Sequence, residues 1–107
     1  MHLDELLTGL QRSGGSDLYL TADSPPLYRV DGATTPASEG ALDAAGVEAL
    51  VLAVLSEGER QEFERAHELN SARLVPGVGR FRINVFRQRG QTGLVARLIP
   101  IDFPDAA

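Results

Sequence analysis

The hydrophobic period of the chain changes across Arg12-Ser13-Gly14-Gly15-Ser16-Asp17, and this change constrains the fold more than any other feature. Before it, Leu3, Leu6, Leu7 and Leu10 recur at the spacing of one helix face. Asp4 and Glu5 suit the positive N-terminal end of that helix and Arg12 its C-terminal end. After it, Leu18, Leu20 and Ala22 alternate with Tyr19 and Thr21, the pattern of a half-buried strand. A phosphate-cradling loop has its glycines after a strand and before a helix, so that the helix N-terminus faces the anion. Here the order is reversed. The glycines read as a joint, with Gly14 ending the helix in the left-handed conformation that glycine adopts freely.

The rest of the chain repeats the mixture. Asp-Ser-Pro-Pro (23–26) breaks the strand, Leu-Tyr-Arg-Val (27–30) reads as the next one, and Asp31-Gly32 signals a hairpin returning through a short edge strand limited by Pro36. Asp43 is placed to cap a helix whose apolar face is Val47, Leu50, Val51, Val54 and Leu55. Ser56 and Glu59 form a capping box that opens another helix reaching about His67, with Phe63 as its core anchor. Residues 68–100 read as a three-strand meander. In its middle strand Phe81, Ile83 and Val85 share one face, and Arg80, Arg82, Asn84 and Phe86 the other. Val95, Arg97 and Ile99 share a face of the last strand. A symmetric loop over Gln88–Gly93 would set Asn84 opposite Arg97 and Arg82 diagonally from it. Three guanidinium groups would then converge on one sheet face, whereas a one-residue slip in register would put Arg97 on the opposite face. The predicted order is α-β-β-β-α-α-β-β-β, an α+β fold with helices packed on an antiparallel sheet.

A length of 107 residues bounds this to one domain, and 43% hydrophobic residues allow a modest core. The absence of cysteine excludes disulfides, thiol nucleophiles and cysteine metal sites, and fits a reducing compartment. The acidic start is unlike a signal peptide, so a cytoplasmic location is expected. All ten basic residues are arginine; without lysine there is no G-x-x-x-x-G-K-[ST] motif. The net charge of −5 is unevenly spread. Residues 69–101 hold six arginines (Arg73, Arg80, Arg82, Arg87, Arg89 and Arg97) and no acid, while all 15 acids lie elsewhere. Either one surface of the fold faces an anion, or arginine stems cover exposed strand faces.

No self-contained active site emerges. His67-Glu68 is not a zinc-protease motif, because Ser71 stands where the second histidine would be. His67 reads instead as a solvated helix end, and His2 suggests no role. Ser16-Asp17 has no histidine at an informative spacing. The Phe and Arg of the middle strand resemble a single-strand binder only loosely; an acidic chain with 6% aromatics is not expected to bind nucleic acid.

Several stretches together carry a resemblance: ELL near the start, GGSDLYLTADSPPLYRVDG, LSEGERQEFERAHELN, and VPGVGRFRINVFRQRGQTGLVARLIP. They resemble the N-terminal domain of type IV pilus retraction ATPases, the PilT/PilU branch of the secretion ATPases, over nearly the whole chain. Tyr19 stands where that family usually has histidine, and Asn70-Ser71-Ala72 where it often has an acidic-aromatic stretch.

The resemblance implies a PAS-like N-terminal domain over residues 1–100, with residues 101–107 beginning a linker to a RecA-like motor domain. It further implies a homo-hexamer that uses ATP and Mg, located in the cytoplasm at the inner membrane and working with the platform protein of the pilus machine. In that setting the domain packs on a motor domain, contributes arginines to the ATP phosphates and transmits hydrolysis to pilus disassembly. By position those arginines are Arg82 and Arg97, with Arg80 a third. The chain alone is expected to have no catalytic residue and no metal ligand. The competing expectation is a free-standing PAS-like sensor or adaptor, which needs a cavity around Leu50, Val54 and Phe63.

Overall fold

The computed structural model describes residues 1–100, so the linker expected at residues 101–107 lies outside the described residues. The element order is α1 (Leu3–Arg12), β1 (Asp17–Leu20), β2 (Leu27–Val30), β3 (Ala33–Pro36), α2 (Ala44–Leu52), α3 (Glu57–Ala66), β4 (Glu68–Val75), β5 (Gly79–Gln88) and β6 (Gln91–Ile99). This is the α+β order expected from the pattern. The strands form one six-stranded sheet, ordered β3-β2-β1-β6-β5-β4, with every neighbouring pair antiparallel. The helix α1 therefore leads into the middle of the sheet, and the C-terminal meander adds to the side of β1 away from β2.

The core is the layer between one sheet face and the helices. Leu3, Leu7 and Leu10 of α1, Val47 and Val51 of α2, and Phe63 of α3 are fully buried. They meet Leu18, Leu20, Phe81, Val85, Leu94 and Ala96 from the sheet, all likewise inaccessible. Burying a side chain of this size contributes about 1.5–3 kcal/mol, which makes this layer the main source of stability. Tyr28 reaches through it, its hydroxyl donating to the Leu6 carbonyl.

Local signals set most boundaries. Ser56 accepts from the Glu59 amide while Glu59 accepts from the Ser56 amide, and Asp43 accepts from the Gly46 amide at 2.7 Å. His67 closes α3 in the left-handed region (φ 58°) with its amide on the Phe63 carbonyl, an exposed helix end as expected.

Four details differ from expectation. His2 does have a role: its imidazole accepts from the Asp4 amide at 3.0 Å while Glu5 takes the His2 amide at 2.8 Å, completing an N-terminal capping box. β1 ends at Leu20, because the chain turns at Asp23 (φ 63°) and the Asp23 amide bonds to the Leu42 carbonyl. α2 ends at Leu52, whose carbonyl is taken by Nε and Nη2 of Arg60 from α3, leaving Val54 and Leu55 in the connection. Leu55 is nonetheless buried. Finally, β5 and β6 are joined by the two-residue turn Arg89-Gly90 (φ 56° and 77°), with Gln88 facing Gln91. That tighter turn shifts the pairing by two residues from the symmetric loop. Asn84 faces Val95, and Arg82 directly faces Arg97. A two-residue shift preserves the face of every side chain, so the arginines stay on the same side.

Candidate functional site

The sheet face opposite the helices carries a row of residues that crosses all six strands. Strand register aligns Thr34, Arg29, Asp17, Arg97, Arg82 and Ala72, taken from β3 to β4. Three of the four central members are arginines, and directly paired residues on antiparallel strands have Cα atoms only about 4.5–5.5 Å apart. Arg82 and Arg97 also line a groove of about 480 Å³ with Asn70, Ser71, Ile83, Asn84 and Val95. At one end of it Asn84 donates to the Asn70 side-chain oxygen at 2.9 Å.

Arg97 is exposed but anchored. Its Nε donates to Oδ1 of Asp17 at 3.0 Å, and the Asp17 side chain is only 4% exposed. Ser16 donates its hydroxyl to the other oxygen of Asp17 at 2.7 Å. Burial pushes the Asp17 carboxyl up, but the hydrogen bonds from Ser16 and Arg97 and the charges of Arg97 and Arg29 outweigh it and hold the group below its ordinary value. The same partner raises the Arg97 guanidinium, first through the Asp17 hydrogen bond and then through its charge. Arg97 is therefore a permanent cation with one edge occupied and its Nη groups unengaged by any ion pair among the described residues.

The joint that sets Asp17 in place is held on both sides. The Ser16 amide donates to the Arg29 carbonyl at 2.8 Å, and the Leu98 amide donates to the Ser16 carbonyl at 3.0 Å. Gly15 allows this approach, since a Cβ there would lie 2.9 Å from the Arg29 carbonyl oxygen and 2.7 Å from Leu10 Cδ1.

The acid-free segment divides into two groups of arginines. Arg73 pairs with Asp4 of α1 at 2.6 Å, and Arg87 with Glu64 of α3 at 2.6 Å while lying 4.9 Å from the centre of the Phe63 ring. These two stand on the helix side and tie helices to the sheet. Arg80, Arg82 and Arg97 stand on the open side; Arg80 and Arg82 have no ion pair among the described residues. Arg80 faces Ile99 and sits beside Leu74, which is 63% exposed, beyond the residues that line the groove. The expected arginines thus occupy one face, with Arg82 and Arg97 adjacent and Arg80 set apart. Asp17 escaped sequence reasoning as a site residue, since its partner follows only from register.

Comparison with known proteins gives a consistent result. The chain is 38% identical over 104 residues to the type IV pilus ATPase PilU of Pseudomonas aeruginosa, covering 97% of this chain and 27% of that protein. It is 39% identical over 100 residues to the type IV pilus retraction ATPase PilT of the same organism, covering 94% and 29%. A crystal structure of the pilus retraction motor PilT with bound ADP superposes with a TM-score of 0.88 at 33% identity, over 97% of this chain and 31% of that one. The chain is an N-terminal domain of the PilT/PilU type.

This PilT/PilU-type domain spans less than a third of the length of the relatives it matches, at 27–31%. Its fold also recurs in the ATPase DotB of Legionella pneumophila, with a TM-score of 0.74 at 16% identity over 92% of this chain and 28% of that one. No family model matches the chain. Among the described residues no group of three or more His, Asp or Glu could hold a metal ion, and no helix is long and apolar enough to cross a membrane.

Proposed function

We propose that the chain serves as the nucleotide-facing N-terminal domain of a type IV pilus retraction ATPase. Its open sheet face packs against a RecA-like motor domain of its own or a neighbouring subunit. There Arg82 and Arg97 contact the phosphates of ATP bound with Mg by the motor, and Arg80 contributes from the side. The observation that supports this most is the direct pairing of Arg82 with Arg97. Like charges opposite each other destabilise a sheet, and an anion held between them offsets that cost. Guanidinium groups suit the task because they stay charged and fork onto phosphate oxygens.

In this reading the domain is not catalytic by itself. The chain has no lysine and hence no phosphate-binding loop of the P-loop type. Its part is to complete the charge environment of the nucleotide and to move as a rigid body in a homo-hexamer, passing hydrolysis through the inner-membrane platform protein to pilus disassembly. The location is then the cytoplasm, peripheral to the inner membrane. Phe63 is fully buried, and Leu50 and Val54 line separate grooves of about 250 and 230 Å³ rather than one cavity with it, which counts against a sensor that holds a ligand between sheet and helices.

The test is the ATPase turnover of Arg82→Ala and Arg97→Ala in the motor-containing protein. Arginines that act on a transferring phosphoryl group are worth about 10³–10⁵ in rate. A large loss in both variants is expected; unchanged turnover in both removes the phosphate-contact reading.

A further inference from the structure

We infer that Asp17 is a positioning residue for the anion site, seating Arg97 so that its terminal nitrogens join those of Arg82 on one ligand. The inference rests on the phosphate-contact reading of that face. An exposed arginine samples many rotamers, and ordering it on a ligand costs side-chain entropy that weakens binding by up to about thirtyfold. Here that ordering is already in place. Asp17 holds Nε, the one nitrogen a fork onto phosphate through the two Nη groups does not need. Asp17 is itself fixed by the Ser16 hydroxyl and by backbone bonds on both sides of the joint.

The rival account is a plain ion pair in which Asp17 neutralises the charge of Arg97 between Arg29 and Arg82. The two accounts differ in sign. A buried carboxylate beside an anion site repels the anion, so by Coulomb interaction alone its removal tightens binding. If Asp17 positions Arg97, its removal loosens binding instead, despite the gain in net positive charge.

The experiment is titration of this 107-residue chain with inorganic tripolyphosphate, followed through the Nε–Hε signals of the arginines in wild type, Arg97→Ala and Asp17→Asn. Losing most of that prior ordering makes about tenfold weaker binding the expected result for Asp17→Asn, together with collapse of the Arg97 Nε–Hε signal toward the free-arginine position. Binding by Asp17→Asn as tight as or tighter than wild type overturns the positioning role alone. No response of the wild type, or an unchanged affinity in Arg97→Ala, overturns the anion site itself and the inference with it. Should Asp17→Asn fail to fold, Ser16→Ala decides the matter, because it frees only one carboxylate oxygen. Weaker binding in that variant supports positioning, and unchanged binding refutes it.

Discussion

Arg82 and Arg97 face each other directly across β5 and β6, and among the described residues only Arg97 of the two has a carboxylate partner, Asp17. The sheet therefore carries an uncompensated cation beside a compensated one. Directly opposed like charges cost about 0.2–1 kcal/mol. Replacing Arg82 with alanine should leave the chain equally stable or more stable by about that amount. Urea unfolding of Arg82→Ala checks it, and a loss above 1 kcal/mol would assign Arg82 a structural role.

Acid sensitivity follows from three carboxylates held below their ordinary values. Asp4 is lowered first by its hydrogen bond from Arg73, against the opposing effect of burial. Glu59 is lowered first by the Ser71 hydroxyl and then by the Ser56 amide. In Asp17 burial acts upward, but Ser16 and Arg97 prevail. A depressed carboxylate contributes stability above its unfolded pKa, about 4, and that contribution is lost as pH falls through the folded value. The urea midpoint should thus hold steady from pH 7 to about 5 and decline below about 4. Asp4→Asn should show a shallower decline. A midpoint that persists unchanged to pH 2.5 in the wild type would contradict the pairings.

Gly15→Ala tests the joint. The new methyl group would press on Leu10 and on the Arg29 carbonyl, and the second of these is backbone that cannot swing aside. Overpacking of this kind costs about 1–3 kcal/mol, which a shift of the thermal midpoint would register. Because Asp17 lies two residues on, the variant should also perturb the Arg97 Nε–Hε signal. A stable variant with that signal unmoved would show that the joint has slack.

The Arg89-Gly90 turn sets the register that opposes the two arginines. Both of its residues have positive φ, a conformation in which asparagine is more at ease than arginine. Arg89→Asn should relieve part of the roughly 1–2 kcal/mol cost of the left-handed conformation, stabilising the chain, and leave the Arg82–Arg97 pairing intact. Cross-strand amide contacts between residues 82 and 97, measured by NMR, would reveal any change in register.

Sequence alone determined the elements and the faces. Leucine spacing in α1, the capping box at Ser56 and Glu59, the Asp31-Gly32 turn and the alternation of β5 are local signals, each set by neighbours within a few residues. Local chemistry also decided that Arg80 and Arg82 would share a side, because a pleated strand alternates faces whatever it pairs with, whereas Arg97 joins them only through the register of β6 against β5. Tertiary structure decided which of them meet. The pairing of β6 with β1 brings together residues 17 and 97, 80 positions apart in the chain, and no local pattern carries that information. The same assembly sorted the acid-free arginines into those that tie helices to the sheet, Arg73 and Arg87, and those left on the open face. Partner choice among charges is a long-range matter, settled only once the core has fixed how the strands lie side by side.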